Sequence, residues 1–406
     1  MEEINKCEVC NNTNIVPVLN LGLHPMCDDL VRVGDPRVCK EYPIEILYCN
    51  VCRTGHQKFQ VPKEELFPKS YHYRSRFTAD VLSGMEGLVS SCEQNFGNLS
   101  SKVILDIGCN DGSLLDFFKS KGAVTVGIEP TDASLDAEAK GHRVYPDYFS
   151  ESLANTFLEE HGHPDIITFT NVFAHIENLS DVLNALAILK NSDTKIVIEN
   201  HYLGSVLDGN QFDTFYHEHP RTYSYTSFKY MAKTLGIDLE SVEFPSRYGG
   251  NIRVFMGLNS KIDGQKLLVE LDAKESLFEQ QFDELKTNIE KWAVSKGAYI
   301  KATVNEFGKI KAKAFPGRSA ILVKMLGIDE HIISAVYEKS GSLKIGHYVP
   351  GTRIPIKSDD ELLASGSIDE PLLNLAWHIS KEIRGYLVSS NYTGSITDIL
   401  DVDDFK

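Results

Sequence analysis

The stretch Val103-Ile-Leu-Asp-Ile-Gly-Cys-Asn-Asp-Gly-Ser-Leu-Leu115 limits what this chain can fold into more than any other. An apolar run closes on an acid, Asp106. A glycine turn follows from Gly108 to Gly112, and a helical pattern begins near Ser113. That is the order buried strand, tight turn, helix. Further apolar runs at Thr125–Ile128, Asp165–Phe169 and Lys195–Glu199 read as buried strands, with a helical candidate at Asp181–Lys190 between the last two. Strands alternating with helices require crossover connections, hence a parallel sheet whose ligands sit at the strand carboxyl ends.

Two kinds of ligand compete for such a loop. A dinucleotide calls for G-x-G-x-x-G, which brings a pyrophosphate against a helix N-terminus. Here the spacing is G-x-x-x-G, with Asp106 just before the loop and Asp111 inside it. Carboxylates repel a pyrophosphate but suit an ammonium and a sulfonium. The segment resembles the first motif of class I methyltransferases, D/E-x-G-x-x-x-G, and the next strand ends in Glu129, placed to accept ribose hydroxyls. The expected cofactor is S-adenosylmethionine (SAM), held by Asp106, Gly108, Asn110, Asp111, Gly112 and Glu129. Asp147, Tyr148 and Phe149 are expected near the adenine, and Asn171, after the fourth strand, near the methyl group.

Composition narrows the partners. Net charge is −16 and no basic patch stands out, which disfavours nucleic acid. No apolar run reaches the roughly 18 residues of a membrane span, and the start, Met1-Glu-Glu-Ile, lacks the features of a secretory signal. A cytoplasmic, reducing setting is expected. There, close cysteine pairs favour metal over disulfide. Cys7-x-x-Cys10 and Cys49-x-x-Cys52 each offer two thiolates from one tight turn, enough together for a closed four-sulfur structural zinc site. Cys27 and Cys39 remain as competing ligands, while Cys92 and Cys109 are expected to pack. The loop-rich segment around these pairs can bury little apolar surface and needs such a staple.

Toward the C-terminus, Phe278, Phe282, Leu285, Ile289 and Trp292 recur at helical spacing, and Ile332–Tyr337 and Ile396–Leu400 suggest strands of a second, smaller α/β unit. Three segments are expected: a zinc-binding module at 1–70, a SAM-binding domain at 71–256 and a C-terminal domain at 257–406. The fold class is α/β: a class I SAM-methyltransferase Rossmann-like sheet, with a small N-terminal zinc-binding module and a half-Rossmann-like C-terminal domain.

Phe212-Asp-Thr-Phe-Tyr-His-Glu-His219 follows the strand ending at Glu199 and packs Tyr216, His217, Glu218 and His219 together. A histidine takes a proton near neutral pH, a carboxylate fixes its tautomer, and a tyrosine hydroxyl can bond a carbonyl or enolate oxygen. This set suits proton abstraction beside a carbonyl. In order along the chain, the two CxxC pairs, Tyr71-His-Tyr73, Asp-Ile-Gly-Cys-Asn-Asp-Gly, Tyr-His-Glu-His, Gly249-Gly250-x-x-Arg253, Pro350-Gly-Thr-Arg-Ile-Pro-Ile356 and Trp377 with Glu382-Ile383 resemble the sugar C-methyltransferases. That resemblance implies methylation at carbon 3 of a nucleotide-linked 4-keto-6-deoxy sugar. It makes His219 the base, with Tyr216 and Glu218 positioning sugar and base, and puts His175 near the keto oxygen. Tyr71 or Tyr73 closes the pocket. Two other readings remain open: an O-methyltransferase on a sugar hydroxyl, and a SAM-binding protein without catalysis.

The chain departs from that family at Lys313-Ala-Phe-Pro-Gly-Arg-Ser319, where members carry Tyr-Gly-Ala-Ala-Ala-Lys-Gly; Arg318 replaces the lysine and a glycine is lost. Arg74, Arg76, Arg247 and Arg253 are candidate contacts for a diphosphate.

Overall fold

The structure is a computed structural model that describes residues 1–67, 73–258, 265–364, 366 and 369–405. Two compact units emerge. The first comprises 1–16, 47–206 and 219–279, the second 17–46, 207–218 and 280–406. The cysteine pairs belong to the first unit, while the segment 17–46, with Cys27 and Cys39, belongs to the second.

In the first unit, strand β1 (Thr54–Gln57) leaves the second cysteine pair. The main sheet uses β2 (Val103–Ile107), β3 (Val124–Ile128), β4 (Arg143–Tyr145), β5 (Ile166–Thr170) and β6 (Lys195–His201), which are mutually parallel. Each β2, β3, β5 and β6 expectation is met within two residues. A short β7 (Arg221–Thr222) pairs with β1, outside this sheet. Then β8 (Asp238–Glu243) and β9 (Asn251–Gly257) complete seven strands in the order β8-β9-β6-β5-β2-β3-β4, β9 running antiparallel to both neighbours. The chain builds outward from β2 through β3 to β4, then returns to the other side of β2 with β5. That reversal leaves a crevice at the carboxyl ends of β2 and β5, where α/β sheets bind ligands.

The helices follow the sequence periodicity. Helix α1 (Ala79–Phe96) buries Val81, Met85, Leu88, Val89 and Cys92 against Ile104, Ile166, Val197 and Phe255 of the sheet. Helix α2 (Ser113–Ser120) begins where the glycine loop ends and adds Leu114 and Phe118 to the same core. Helix α3 (Leu179–Leu189) is capped by the Asn178 side chain, and α4 (Tyr225–Thr234) by a reciprocal Ser224–Ser227 capping box.

The second unit has its own five-stranded, all-parallel sheet: β10 (Ile310–Lys313), β11 (Ile333–Glu338), β12 (Ile356–Ser358), β13 (Leu372–Asn374) and β14 (Ile396–Asp398), ordered β12-β11-β10-β13-β14. The helical stripe read from Phe278 to Trp292 belongs to a 30-residue helix, α5 (Phe278–Phe307). Phe282, Leu285, Ile289 and Trp292 are all buried, so the stripe packs. No helix among the described residues is long and apolar enough to cross a membrane.

His217 lies in this unit, buried, with Nε2 3.1 Å from the Tyr42 carbonyl. Burial outweighs that contact and pushes the imidazole down to about 4. Its folded form refuses a proton that the unfolded chain accepts below about 6.5. Stability is therefore complete above that pH and falls as pH drops toward 4, by about 3 kcal/mol in full. Urea unfolding followed from pH 7 to 4 should show this slope, and His217→Gln should flatten it; an unchanged slope would mean the imidazole is not buried neutral.

Candidate active site

The loop after β2 is shaped by its own backbone. Gly108, Asn110 and Gly112 all have positive φ, at 72°, 49° and 74°. A Cβ on Gly108 would stand 2.6 Å from Val172, and one on Gly112 2.9 Å from Ala137 and His142. Both glycines are thus required by left-handed backbone and by packing against the chain itself, rather than only by approach of a ligand. Asp111 is turned inward: it is fully buried and accepts from the Ser113 hydroxyl at 2.6 Å and the Arg76 amide at 3.0 Å. Asn110 uses both faces. Its amide donates to Glu129 Oε2 at 3.0 Å, while its side chain accepts from the Ser75 amide at 3.0 Å and donates to the Tyr73 carbonyl at 3.3 Å. The Tyr73 backbone therefore lies on the glycine loop while its side chain is exposed; Tyr71 lies outside the described residues.

Two carboxylates converge here. Asp106 is buried, accepts from the Thr168 hydroxyl at 2.6 Å, and is pushed up to about 7 by burial, partly countered by that bond and reinforced by Glu129. Glu129 Oε1 accepts from the amide and hydroxyl of Thr131, at 2.9 and 2.6 Å. Asp106 and Glu129 have hydrogen-bond donors as neighbours, yet the described residues provide no ion-pair partner for either. Buried acids of this kind fit a cationic ligand, and SAM carries a sulfonium and an ammonium. A cation binding beside Asp106 lowers its pKa, so binding releases a proton near neutrality. SAM affinity should rise from pH 6 to 8, and Asp106→Asn should flatten that profile. Calorimetry in buffers of different ionisation heat reads the released proton; its absence would show that Asp106 does not face the charge.

The remaining cofactor candidates sit around this crevice. Asp147, Tyr148 and Phe149 follow β4. Asp147 is exposed, the Tyr148 hydroxyl donates to the Phe67 carbonyl at 3.3 Å, and Phe149 packs edge-on against Phe169. Asn171 follows β5 with φ 54°, its amide donating to the Glu199 carbonyl at 2.8 Å and its side chain accepting from Asn251 at 3.2 Å.

Beside these, His219 is 4% exposed and lies between two other imidazoles. Its ring centroid is 4.7 Å from that of His175 and 5.4 Å from that of His201. His175 stands in the short 3₁₀ turn Phe173–His175 after β5, and His201 ends β6, so the group gathers at strand carboxyl ends. Apolar periodicity ends this strand at Glu199 and so does not mark His201, two residues further on. Tyr216, His217 and Glu218 precede His219 in the chain but belong to the second unit, Tyr216 half-buried and the other two buried.

The arginines proposed for a diphosphate are already paired. Arg74 binds Asp136 at 2.7 Å, and Arg76 binds Asp136 at 3.0 Å. Arg247 and Arg253 both bind the buried Glu199, at 3.1 and 2.7 Å, and Arg253 also binds Glu243 at 2.7 Å. In the second unit, the departure at Arg318 has an internal explanation. Its Nε and Nη2 each donate to Asp213 at 2.8 Å, and the Trp377 indole donates to the same carboxylate at 2.8 Å. Phe315 is buried beside it, its amide donating to Glu338 at 2.6 Å. Arg318 is thus held by Asp213, an acid of the same unit. A cleft of about 540 Å³ opens at the ends of β13 and β14, lined in part by Trp377, Arg384 and Asp398.

The four cysteines of the two pairs meet. Their sulfurs lie within 4.8 Å of one another, with Cys7–Cys52 at 3.3 Å and Cys10–Cys49 at 3.6 Å. Tetrahedral zinc with bonds of about 2.3 Å needs sulfurs about 3.8 Å apart, so the donor set fits the ion. Sulfur contacts from Cys52 and Cys7 push the Cys49 thiol down, while contact with Cys49 pushes Cys7 and Cys52 up. A cation is what lets four thiolates share so small a space. Cys27 and Cys39 are not among the ligands and lie in the other unit.

Profiles described as "Putative zinc binding domain", "Methyltransferase domain" and "C-methyltransferase C-terminal domain" match residues 7–67, 81–242 and 246–395. The C-methyltransferase NovU of Streptomyces niveus is 24% identical over 388 residues, 94% of this chain and 91% of that protein. A ubiquinone biosynthesis O-methyltransferase of Shewanella halifaxensis is 30% identical over 99 residues, 23% of this chain and 42% of that protein, so the match spans less than half of that relative. A solved magnesium protoporphyrin IX methyltransferase (ChlM) from Synechocystis PCC 6803 with bound SAH is 16% identical, covering 44% of this chain and 84% of that one at a TM-score of 0.36. With its cysteine cluster, its acid-lined glycine loop and all three profiles in sequence, the chain is a SAM-dependent methyltransferase with a zinc-binding N-terminal segment, similar over nearly its whole length to a C-methyltransferase.

Proposed function

We propose that the enzyme methylates carbon 3 of a nucleotide-diphosphate-linked 4-keto-6-deoxy sugar through an enolate, in the cytoplasm, with segments 1–70, 71–256 and 257–406 as its zinc-binding, SAM-binding and C-terminal parts. The observation that carries this reading is His219, buried and flanked by His175 and His201 at the carboxyl ends of the methyltransferase sheet. An O-methylation needs only a base at a hydroxyl. A C-methylation must take a proton from carbon and stabilise the oxyanion that results, which gives two imidazoles separate work.

His219 takes the carbon-3 proton, leaving the C–H electron pair in the enolate. His175 donates to the keto oxygen as charge develops there. Tyr216 and Glu218 position sugar and base, and Tyr71 or Tyr73 closes over them. Asp106, Glu129 and the loop from Gly108 through Asn110 and Asp111 to Gly112 hold SAM, with Asp147, Tyr148 and Phe149 at its adenine and Asn171 near its methyl group. When bound, SAM supplies an electrophilic methyl that the carbanion takes at carbon, the sulfur keeping the bonding pair.

The test is a reaction with ¹³C-methyl-SAM and a panel of nucleotide-linked keto sugars. A labelled methyl singlet on a quaternary carbon is the expected product signal. A labelled O-methyl signal would replace this reading with the O-methyltransferase one, and SAM binding with no transfer to any acceptor would leave a non-catalytic protein.

A further inference from the structure

Arg221 stands two residues after His219 and is completely buried. A guanidinium there is costly unless its donors are satisfied, and every partner it has found belongs to one of three places. Its Nη1 pairs with Glu8 Oε1 at 2.7 Å. Glu8 lies between Cys7 and Cys10, and its other oxygen accepts from Gln60 Nε2 at 2.8 Å. Nη1 and Nη2 each donate to the Glu177 carbonyl at 3.2 Å, and Nη2 also donates to the Ile176 carbonyl. Those are the two carbonyls that follow His175. Finally, Nε donates to the Tyr223 hydroxyl at 2.9 Å, on its own stretch of chain.

The backbone repeats the same connection. β7 pairs antiparallel with β1, Arg221 opposite His56 and Thr222 opposite Gly55, and the Gln57 amide donates to the Pro220 carbonyl at 2.8 Å. β1 begins two residues after Cys52. On the far side, the Ser224 and Ser227 hydroxyls that cap α4 both donate to the Cys52 carbonyl, at 3.3 and 3.2 Å.

We propose that Arg221 is a positioning residue that transmits the order of the four-cysteine site to the histidine pair, so that metal binding and the alignment of His175 with His219 are one event. The argument rests on the reading of His219 as the base. One planar fork reaches the knuckle residue Glu8 and the loop behind His175 while its own backbone follows His219. A lysine has the charge but not the fork, and cannot serve Glu8, both carbonyls and Tyr223 together. A misplacement of about 1 Å between reacting groups costs about a hundredfold in rate.

The experiment uses the full-length, zinc-loaded enzyme with Arg221→Lys and Glu8→Gln, alongside His219→Ala. Readouts are zinc content, SAM affinity, kcat and KM, and long-range ¹H–¹⁵N spectra of the histidine rings. The expected result is zinc and SAM binding near wild type, kcat lowered about a hundredfold in Arg221→Lys and about tenfold in Glu8→Gln, and ring signals of His175 and His219 shifted while that of His163 holds. Should Arg221→Lys fail to fold, Glu8→Gln decides. A folded, zinc-loaded variant with wild-type kcat and unmoved ring signals overturns the proposal while leaving the base assignment intact. Full activity in His219→Ala overturns the base assignment itself.

Discussion

His219→Ala should lose exchange of the acceptor's carbon-3 hydrogen with D₂O, and kcat for methyl transfer should fall by about 10³-fold, within the range a positioned general base supplies. Carbon acids beside a ketone exchange slowly without a base held against them. The expectation follows from burial as much as from residue type: an imidazole 4% exposed is shielded from buffer, so a small buffer base cannot readily take over. SAM affinity should stay near wild type, because the acids beside the glycine loop, Asp106 and Glu129, are not altered. His175→Ala should behave differently, retaining some exchange while losing rate, since its proposed part is to stabilise charge on oxygen. Exchange at wild-type rate in His219→Ala would move the base to another residue, with His175 at 4.7 Å and His201 at 5.4 Å the neighbouring alternatives.

The second large effect concerns the metal. Purified enzyme should hold about one zinc per chain, and Cys49→Ala or strong chelation should remove it. Four sulfurs within 4.8 Å of one another form a closed donor set that the ion holds together. Binding energy of a structural zinc is folding energy, on the order of 10 kcal/mol, so a loss of several kcal/mol in unfolding free energy is expected. The damage should spread beyond the cysteines. The Cys52 carbonyl accepts from the α4 cap, and β1 pairs with β7, next to His219. Metal analysis with urea unfolding reads both. A metal-free protein with undiminished stability would show that the cysteines merely pack.

Much of this architecture could be read before any coordinates. The run from Val103 to Leu115 specified strand, loop and helix because apolar periodicity and glycine placement are local signals. The cysteine pairs were legible for the same reason: CxxC is a local geometry, and two of them leave little choice of partner. The place of Glu129 beside the loop follows from its distance along the chain. What escaped is what depends on distant partners. Arg247 and Arg253 are candidates for a diphosphate or for an ion pair by sequence; both are held by Glu199, and nothing in their neighbourhood of sequence announces that acid. Arg318 reads as a departure from a family pattern until Asp213 is seen beneath it. Arg221 drew no attention, since a lone arginine in a strand is ordinarily a surface residue; only its complete burial reveals a structural task. The division into units was also hidden, because the chain between Val16 and Leu47 leaves the first unit and returns without any break in composition.

The most direct measurement is a crystal structure of the enzyme with S-adenosylhomocysteine and a nucleotide-linked 4-keto-6-deoxy sugar. The account predicts His219 Nε2 or Nδ1 within about 3.5 Å of carbon 3 on one face of the sugar, the sulfur facing the same carbon from the opposite side, and His175 within hydrogen-bond reach of the keto oxygen. A sugar seated with a hydroxyl, not carbon 3, between imidazole and sulfur would contradict it, as would a His219 ring with no sugar atom beside it.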